Sequence, residues 1–208
     1  MPTLDFDRAS HTYRLDGAVI PNVTRILEVL ATYQGIPASV LQAAADRGDA
    51  VHFATELWDR EELDEASVPA EIAGYLNGWK KFRHESGFHP TYIEERVYSL
   101  RYRFAGTADR GGTFDSLPWI RPGSPALIDI KATAELMPVV GPQTALYALA
   151  WSESHPSGWK HLRRYAVQLR RDGDYRLHEC TDPSDLGVGL SCVTIANWRA
   201  RHAEQERA

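Results

Sequence analysis

The chain reads as an α/β protein: a central mixed β-sheet flanked by helices, with a hairpin and a helical region at its amino-terminal end. Three observations carry that reading. Apolar residues recur with helical spacing through the first third, the period switches to two from about residue 92, and the remainder alternates strand, helix, strands and helix. The 208 residues suffice for one domain, divided here into a hairpin-plus-helix part over 1–88 and an α/β core over 89–208.

Taken in order, Asp16-Gly17 lies between Thr12-Tyr13-Arg14-Leu15 and Ala18-Val19-Ile20, and this pair suits a type I′ turn because both central residues must take positive φ. After Pro21-Asn22, the run from Val23 to Leu30 predicts a short helix. Val40, Leu41, Ala44, Ala45, Val51, His52 and Leu57 then recur at spacings of three and four, and a second amphipathic segment runs from about Ala70 to Phe82. Tyr92 to Tyr98, Tyr102 to Asp109 and Ala126 to Lys131 alternate as strands, the last two joined by a turn-rich bridge with Pro118, Pro122, Gly123 and Pro125. Gln143 to about Trp151 predicts a helix, and Arg164 to Leu169 with Tyr175 to Glu179 a strand pair around Asp172-Gly173. Asp182-Pro183, as cap and first turn, predicts a closing helix that runs towards Arg201.

Apolar residues at 43% and charged residues at 25% exclude collagen-like, coiled-coil and wholly disordered readings. Cys180 and Cys192 are the two cysteines, too few for an iron–sulfur cluster or a zinc ribbon, which points to a reducing, cytoplasmic compartment. Neither a signal peptide nor a membrane-spanning apolar stretch is visible, so no membrane association is expected. A net charge of −5 argues against coating polyanions by bulk electrostatics, so any nucleic-acid contact must be local. Two runs could supply it: Lys80-Lys81-Phe82-Arg83-His84, and Lys160-His161-Leu162-Arg163-Arg164 continuing to Arg170-Arg171. Either run taken alone more often marks a solvated helix or loop face. Trp58, Trp79, Tyr92 and Tyr102 are available for base stacking, although tryptophans more often fill cores and rims.

The segment Ile128-Asp129-Ile130-Lys131 bears most on chemistry. Strand alternation puts Asp129 and Lys131 on one face and Ile128 and Ile130 on the other, in a core. Gly106-Thr107-Ala108-Asp109 places a second carboxylate at the end of another predicted strand, and carboxylates from neighbouring strands suit Mg²⁺ or Mn²⁺. A surface ion pair would explain Asp-x-Lys alone. Gly48 and His52 are four apart on one helix face, where a glycine marks close packing or a nearby ligand. Gln143 and Tyr147 are likewise four apart on the helix after the Asp-Lys strand.

In this order, Gly48-x-x-x-His52, a strand glutamate, Gly106-x-x-Asp109, Asp129-Ile130-Lys131 and Gln143-x-x-x-Tyr147 resemble the RecB-like branch of the PD-(D/E)XK nuclease superfamily. The branch includes stand-alone phage exonucleases and the mitochondrial genome maintenance exonuclease, and the element Pro21-x-Val23-Thr24-x-Ile26-Leu27 is similar to one of theirs. The resemblance implies a restriction-endonuclease-like core. It implies one or two Mg²⁺ or Mn²⁺ ions bound by His52, Asp109, Asp129 and the carbonyl of Ile130, with Lys131 as the catalytic lysine and Gln143 and Tyr147 as positioning groups. Glu94 and Glu95 compete for the motif glutamate, since alternation puts only one on the active face; Glu95 is favoured by its spacing to Val97 and Tyr98. Iron–sulfur-bearing relatives use four cysteines, which this chain lacks.

The expected activity is metal-dependent hydrolysis of DNA, as an exonuclease on single strands or ends in repair or recombination, in a bacterial or phage-infected cell. Lys80, Lys81, Arg163 and Arg164 are the expected backbone contacts, and, no Walker motif being present, the chain is expected to work alone or with a separate recombination or helicase partner. The rivals are a non-catalytic nucleic-acid-binding recombination accessory protein on the same fold and a hydrolase for another phosphate ester.

Overall fold

A computed structural model describes residues 2–8, 10–30, 35–155 and 162–205. Asp16 and Gly17 take φ of 50° and 82°, the two positive angles of a type I′ turn, and close the hairpin of β2 (Thr12–Leu15) on β3 (Ala18–Ile20). A strand that the sequence reading omitted, β1 (Leu4–Asp7), pairs antiparallel with β2 and makes a three-stranded sheet. Its Leu4 and Phe6 alternate onto the face that holds Tyr13, Leu15 and Ile20, and this face rests on Tyr98 and Ala105. Asn22 then caps α1 (Val23–Leu27) by accepting the Arg25 N–H at 2.8 Å, and the chain tightens into a 3-10 turn over Glu28–Leu30.

Two longer helices follow, α2 (Ala38–Asp59) and α3 (Ala70–Ser86), the second ended by Gly87 at φ 60°. The main sheet is β4 (Phe88–Ser99), β5 (Phe104–Phe114), β6 (Ser124–Lys131), β7 (Arg163–Leu169) and β8 (Tyr175–Glu179), in that spatial order. Every neighbouring pair is antiparallel except β6 and β7, which are parallel and joined through α4 (Val140–Ser154). The closing helix α5 (Asp185–Gln205) packs on α4. The class is therefore mixed α/β, as the periodicities predict.

Each face of the sheet has its own core. Val51, Ile72, Trp79 and Phe82 of α2 and α3 cover Phe114, Ile128, Ile130 and Val167, whereas Leu146 and Trp151 of α4, with Cys192 and Val193 of α5, cover Leu127 and Ala108. Ile128 and Ile130 thus point into one core and leave Asp129 and Lys131 on the α4 side, the alternation expected of this strand.

Several boundaries differ from expectation, β4 starting at Phe88 rather than Tyr92 and α4 at Val140 rather than Gln143, and two of the differences have a clear physical reason. The Tyr102–Asp109 strand begins at Phe104 and continues to Phe114, because Gly111 and Gly112 serve close approach rather than a turn: a Cβ on Gly111 would lie 2.6 Å from the Trp151 ring. The last helix starts at Asp185, later than Asp182-Pro183; Asp182 Oδ1 instead accepts from Ser184 N–H and Oγ–H at 2.8 and 2.7 Å, closing a turn ahead of it. Both cysteines are unpaired, and among the described residues no helix is long and apolar enough to cross a membrane.

Candidate metal centre and active site

The β5–β6 ladder runs from Phe114–Ser124 to Arg110–Ile128, and Asp109 stands one residue beyond it. Its Oδ2 accepts the Ile130 N–H at 2.6 Å, so the carboxylate occupies the place of a ladder carbonyl. A strand residue directs its N–H and C=O to the same neighbour, so the Ile130 carbonyl also looks out of the edge where Asp109 lies. Asp109 Oδ1 is left facing His52 of α2, 3.6 Å from Nδ1, and Glu94 Oε1 lies 4.0 Å from the same nitrogen. His52, Glu94 and Asp109 each offer one ligand atom within 4.8 Å of the others, a set that could hold a divalent ion.

The structure places Glu94 in this group, not the expected Glu95. Strand alternation fails here because Glu94 has φ 52°, a left-handed conformation uncommon for a non-glycine residue. Tyr92 meets the Trp151 ring of α4 edge-on at 5.0 Å, and Glu95 Oε1 reaches His155 Nε2 at 3.2 Å. These two side chains share a face although three residues apart, which turns Glu94 towards α2 and His52.

Behind Glu94 lies a buried network that sequence reasoning missed. Arg110, wholly buried, donates from Nε to Asp59 at 2.7 Å, from one terminal nitrogen to Glu94 Oε1 at 2.9 Å and to the Asp109 carbonyl at 2.7 Å, and from the other to Thr55 Oγ1 at 3.2 Å. Asp59 also accepts from Arg83 and Trp79 Nε1. The guanidinium thus holds both the carboxylate of Glu94 and the backbone of Asp109. The available signal was a charged residue beside Asp109 on the opposite, core-facing side of a strand, which folding must pair.

Asp129 is buried and does not join the His52 group; it pairs with Lys131, whose Nζ donates to Oδ1 at 2.9 Å. Oδ2 is 2.7 Å from the same nitrogen yet out of line for a hydrogen bond, so a buried lone pair stays uncovered. Burial, partly offset by Lys131 and reinforced by Asp109, raises the Asp129 carboxyl to about 6. Lys131 is raised too: burial lowers it, but Asp129 and Asp109 outweigh burial and keep it an ammonium. His52 behaves likewise, with burial exceeded by the carboxylates Asp109 and Glu94, and reaches about 9.

His52, Glu94, Asp109 and Lys131 open on a cleft of about 470 Å³ whose other walls include Tyr13, Thr107, Gln143 and Tyr147. Burial and the carboxylates Asp109 and Asp129 push the Tyr147 hydroxyl up, so it remains a phenol, with a hydrogen bond to Gln143 acting the other way. Gly106 makes room for this ring, since a Cβ there would lie 2.6 Å from Tyr147 Cε1. Gly48 has no such reason: a Cβ would meet nothing within 4 Å, so close packing does not explain it.

Lys80, Lys81, Arg163 and Arg164 lie away from the cleft wall, and each is engaged by acid: Glu65, Asp174 with Glu85, Glu179, and Asp185 respectively. Lys160 and His161 of the second basic run lie outside the described residues. Trp79 is spent in the core and Tyr92 on Trp151. Neither a scan against protein-family models nor a search of curated proteins returns a match to this chain.

Proposed function

We propose that the protein is a divalent-metal-dependent nuclease that hydrolyses DNA phosphodiester bonds, acting as an exonuclease on single strands or ends. The observation that carries the reading is the meeting, in one cleft, of an imidazole, two carboxylates and a lysine held by the buried Asp129 behind it, from four separate elements. His52, Glu94 and Asp109 would hold Mg²⁺ or Mn²⁺, and the uncovered Oδ2 of Asp129 beside them is a further hard donor. When bound, the ion would polarise the phosphate and lower the pKa of attacking water.

The chain's own groups do the rest. Lys131, kept protonated, supplies positive charge to a phosphoryl group as its charge accumulates, and is not itself a base at neutral pH. Asp129 fixes that ammonium at the cleft wall. Tyr147, a phenol throughout the neutral range, offers an O–H donor towards substrate oxygen. Asp109 is oriented by the Ile130 N–H and Glu94 by Arg110, so both carboxylates are pre-set and need little reorganisation on loading.

The test is degradation of end-labelled single-stranded DNA, duplex DNA and a nitrophenyl phosphate ester with and without Mg²⁺ or Mn²⁺, with Asp129→Asn and Lys131→Ala alongside. Metal-dependent loss of DNA that falls by about 10²-fold or more in either variant supports the reading. Binding without cleavage would turn it into the accessory-protein alternative, and cleavage of the small ester alone into a different phosphoesterase.

A further inference from the structure

Lys80, Lys81, Arg163 and Arg164, the four expected backbone contacts, are neutralised by carboxylates, so a polyanion must find its positive field at other residues, the tail of the second basic run among them. A second cavity, of about 420 Å³, lies at the carboxyl ends of β6 and β7 and is lined by Arg170, Arg171 and Arg176, with Tyr75, Gln168 and Thr133. Asp172 is its acidic residue, and it pairs with Arg170 at 2.9 Å. Among the described residues, neither Arg171 nor Arg176 has a carboxylate within 4.0 Å. Two guanidiniums without a carboxylate partner thus share one concavity, a local positive field in a chain of net charge −5.

The place of this cavity follows from register. Lys131 pairs with Gln168, and Gln168 with Arg176, so the three lie in one row across β6, β7 and β8 on the same face. Two inter-strand steps separate Lys131 from Arg176 by about 10 Å. Thr133 lines both this cavity and the cleft around His52 and Lys131, so the two adjoin across the segment that follows β6. Gln168 pins that segment, donating to the carbonyls of Thr133 and Ala134 at 2.9 and 2.8 Å.

The arginines sit on a built platform. The turn that carries Arg170 and Arg171 closes with Arg170 N–H on the Asp174 carbonyl at 2.9 Å, and Gly173 at φ 87°. It is pressed onto α3 so closely that a Cβ on Gly74 would fall 1.9 Å from the Arg171 carbonyl, and one on Gly78 2.6 Å from that of Asp174. Lys81 ties the far side of the turn down through Asp174.

We propose that Arg171 and Arg176, with Arg170, form a backbone subsite for nucleic acid, holding phosphates a few nucleotides from the bond that lies at Lys131. This rests on the nuclease reading. About 10 Å is the axial span of roughly three phosphates of one strand in a duplex, so a strand that leaves the cleft over Thr133 reaches the arginines within a few nucleotides. Guanidinium forks suit phosphate oxygens, and contacts of this kind position without reading sequence.

The experiment is fluorescence-anisotropy binding of a labelled single-stranded oligonucleotide to the full chain in EDTA, over a series of salt concentrations. It compares the parent, the double variant Arg171→Gln/Arg176→Gln, and a charge-matched control, Arg199→Gln/Arg201→Gln at exposed positions of α5. The subsite predicts roughly tenfold weaker binding for the first pair, with the slope of log K against log salt shallower by about 1.4, and little change for the control. Unaltered melting temperature and Mn²⁺ affinity exclude a folding defect. If the parent binds and the first pair binds equally well, or the control weakens as much, the subsite is refuted while the nuclease reading stands. If the parent neither binds nor cleaves nucleic acid, both fall together.

Discussion

Replacing Arg110 by methionine tests whether the candidate centre is held from behind. Methionine keeps an unbranched apolar stem but removes every donor, together with the guanidinium that lies 5.6 Å over the Trp79 ring. Glu94 loses its 2.9 Å partner, Asp59 loses one of its two cations, and the Asp109 carbonyl and Thr55 hydroxyl lose theirs. Asp59 keeps Arg83 and Trp79, so the uncompensated charge falls mostly on Glu94, which is only partly open to water. Breaking a buried pair from one side destabilises by about 3–5 kcal/mol. In a chain of this size that lowers the melting temperature by roughly 6–20 °C. Because Glu94 is no longer oriented, Mn²⁺ affinity should also drop by about 10–100-fold. Urea unfolding with and without Mn²⁺ reads both effects, and a double-mutant cycle with Glu94→Gln isolates the Arg110–Glu94 coupling at about 0.5–3 kcal/mol. An Arg110→Met protein within about 1 kcal/mol of the parent, with unchanged Mn²⁺ affinity, would show that the guanidinium positions nothing.

Two further outcomes follow. Since His52 is raised from its ordinary value to about 9 by Asp109 and Glu94 against burial, its protonation stabilises the metal-free fold fully below about pH 6.5, and this contribution is lost as pH rises to about 9. Metal-free protein should therefore weaken between these values in urea melts, on the order of 3 kcal/mol at most, and His52→Asn should flatten that stretch of the profile; a flat parent profile would contradict the clustering. Gly106→Ala should destabilise by about 1–3 kcal/mol, because its methyl meets Tyr147 at 2.6 Å and Val23 at 3.2 Å, and a melting temperature equal to the parent's would show that the ring is not seated there.

Several features were legible without coordinates because they depend on near neighbours. Asp16-Gly17 specifies its turn through the φ that each residue tolerates, Asn22 caps through its own side chain, and Ile128 to Lys131 sorts acid and amine from core by strand period alone. Pairing Asp129 with Lys131 needs no more than that period. Other features were settled by contacts remote in the chain. Glu94 rather than Glu95 faces His52 because one residue in a left-handed conformation inverts the alternation, and composition does not announce such a residue. Gly111 and Gly112 are strand residues because Trp151, His89 and Phe88 fill the space above them. Lys80, Lys81, Arg163 and Arg164 lose their positive field to Glu65, Asp174, Glu179 and Asp185, whereas Arg171, at the tail of the same basic run, and Arg176 keep theirs. Local chemistry dictated which groups this chain possesses; which of them meet, and which are neutralised, was decided by the packing of α2, α3 and α4 on the sheet, since charge and coordination depend on distances that only folding sets.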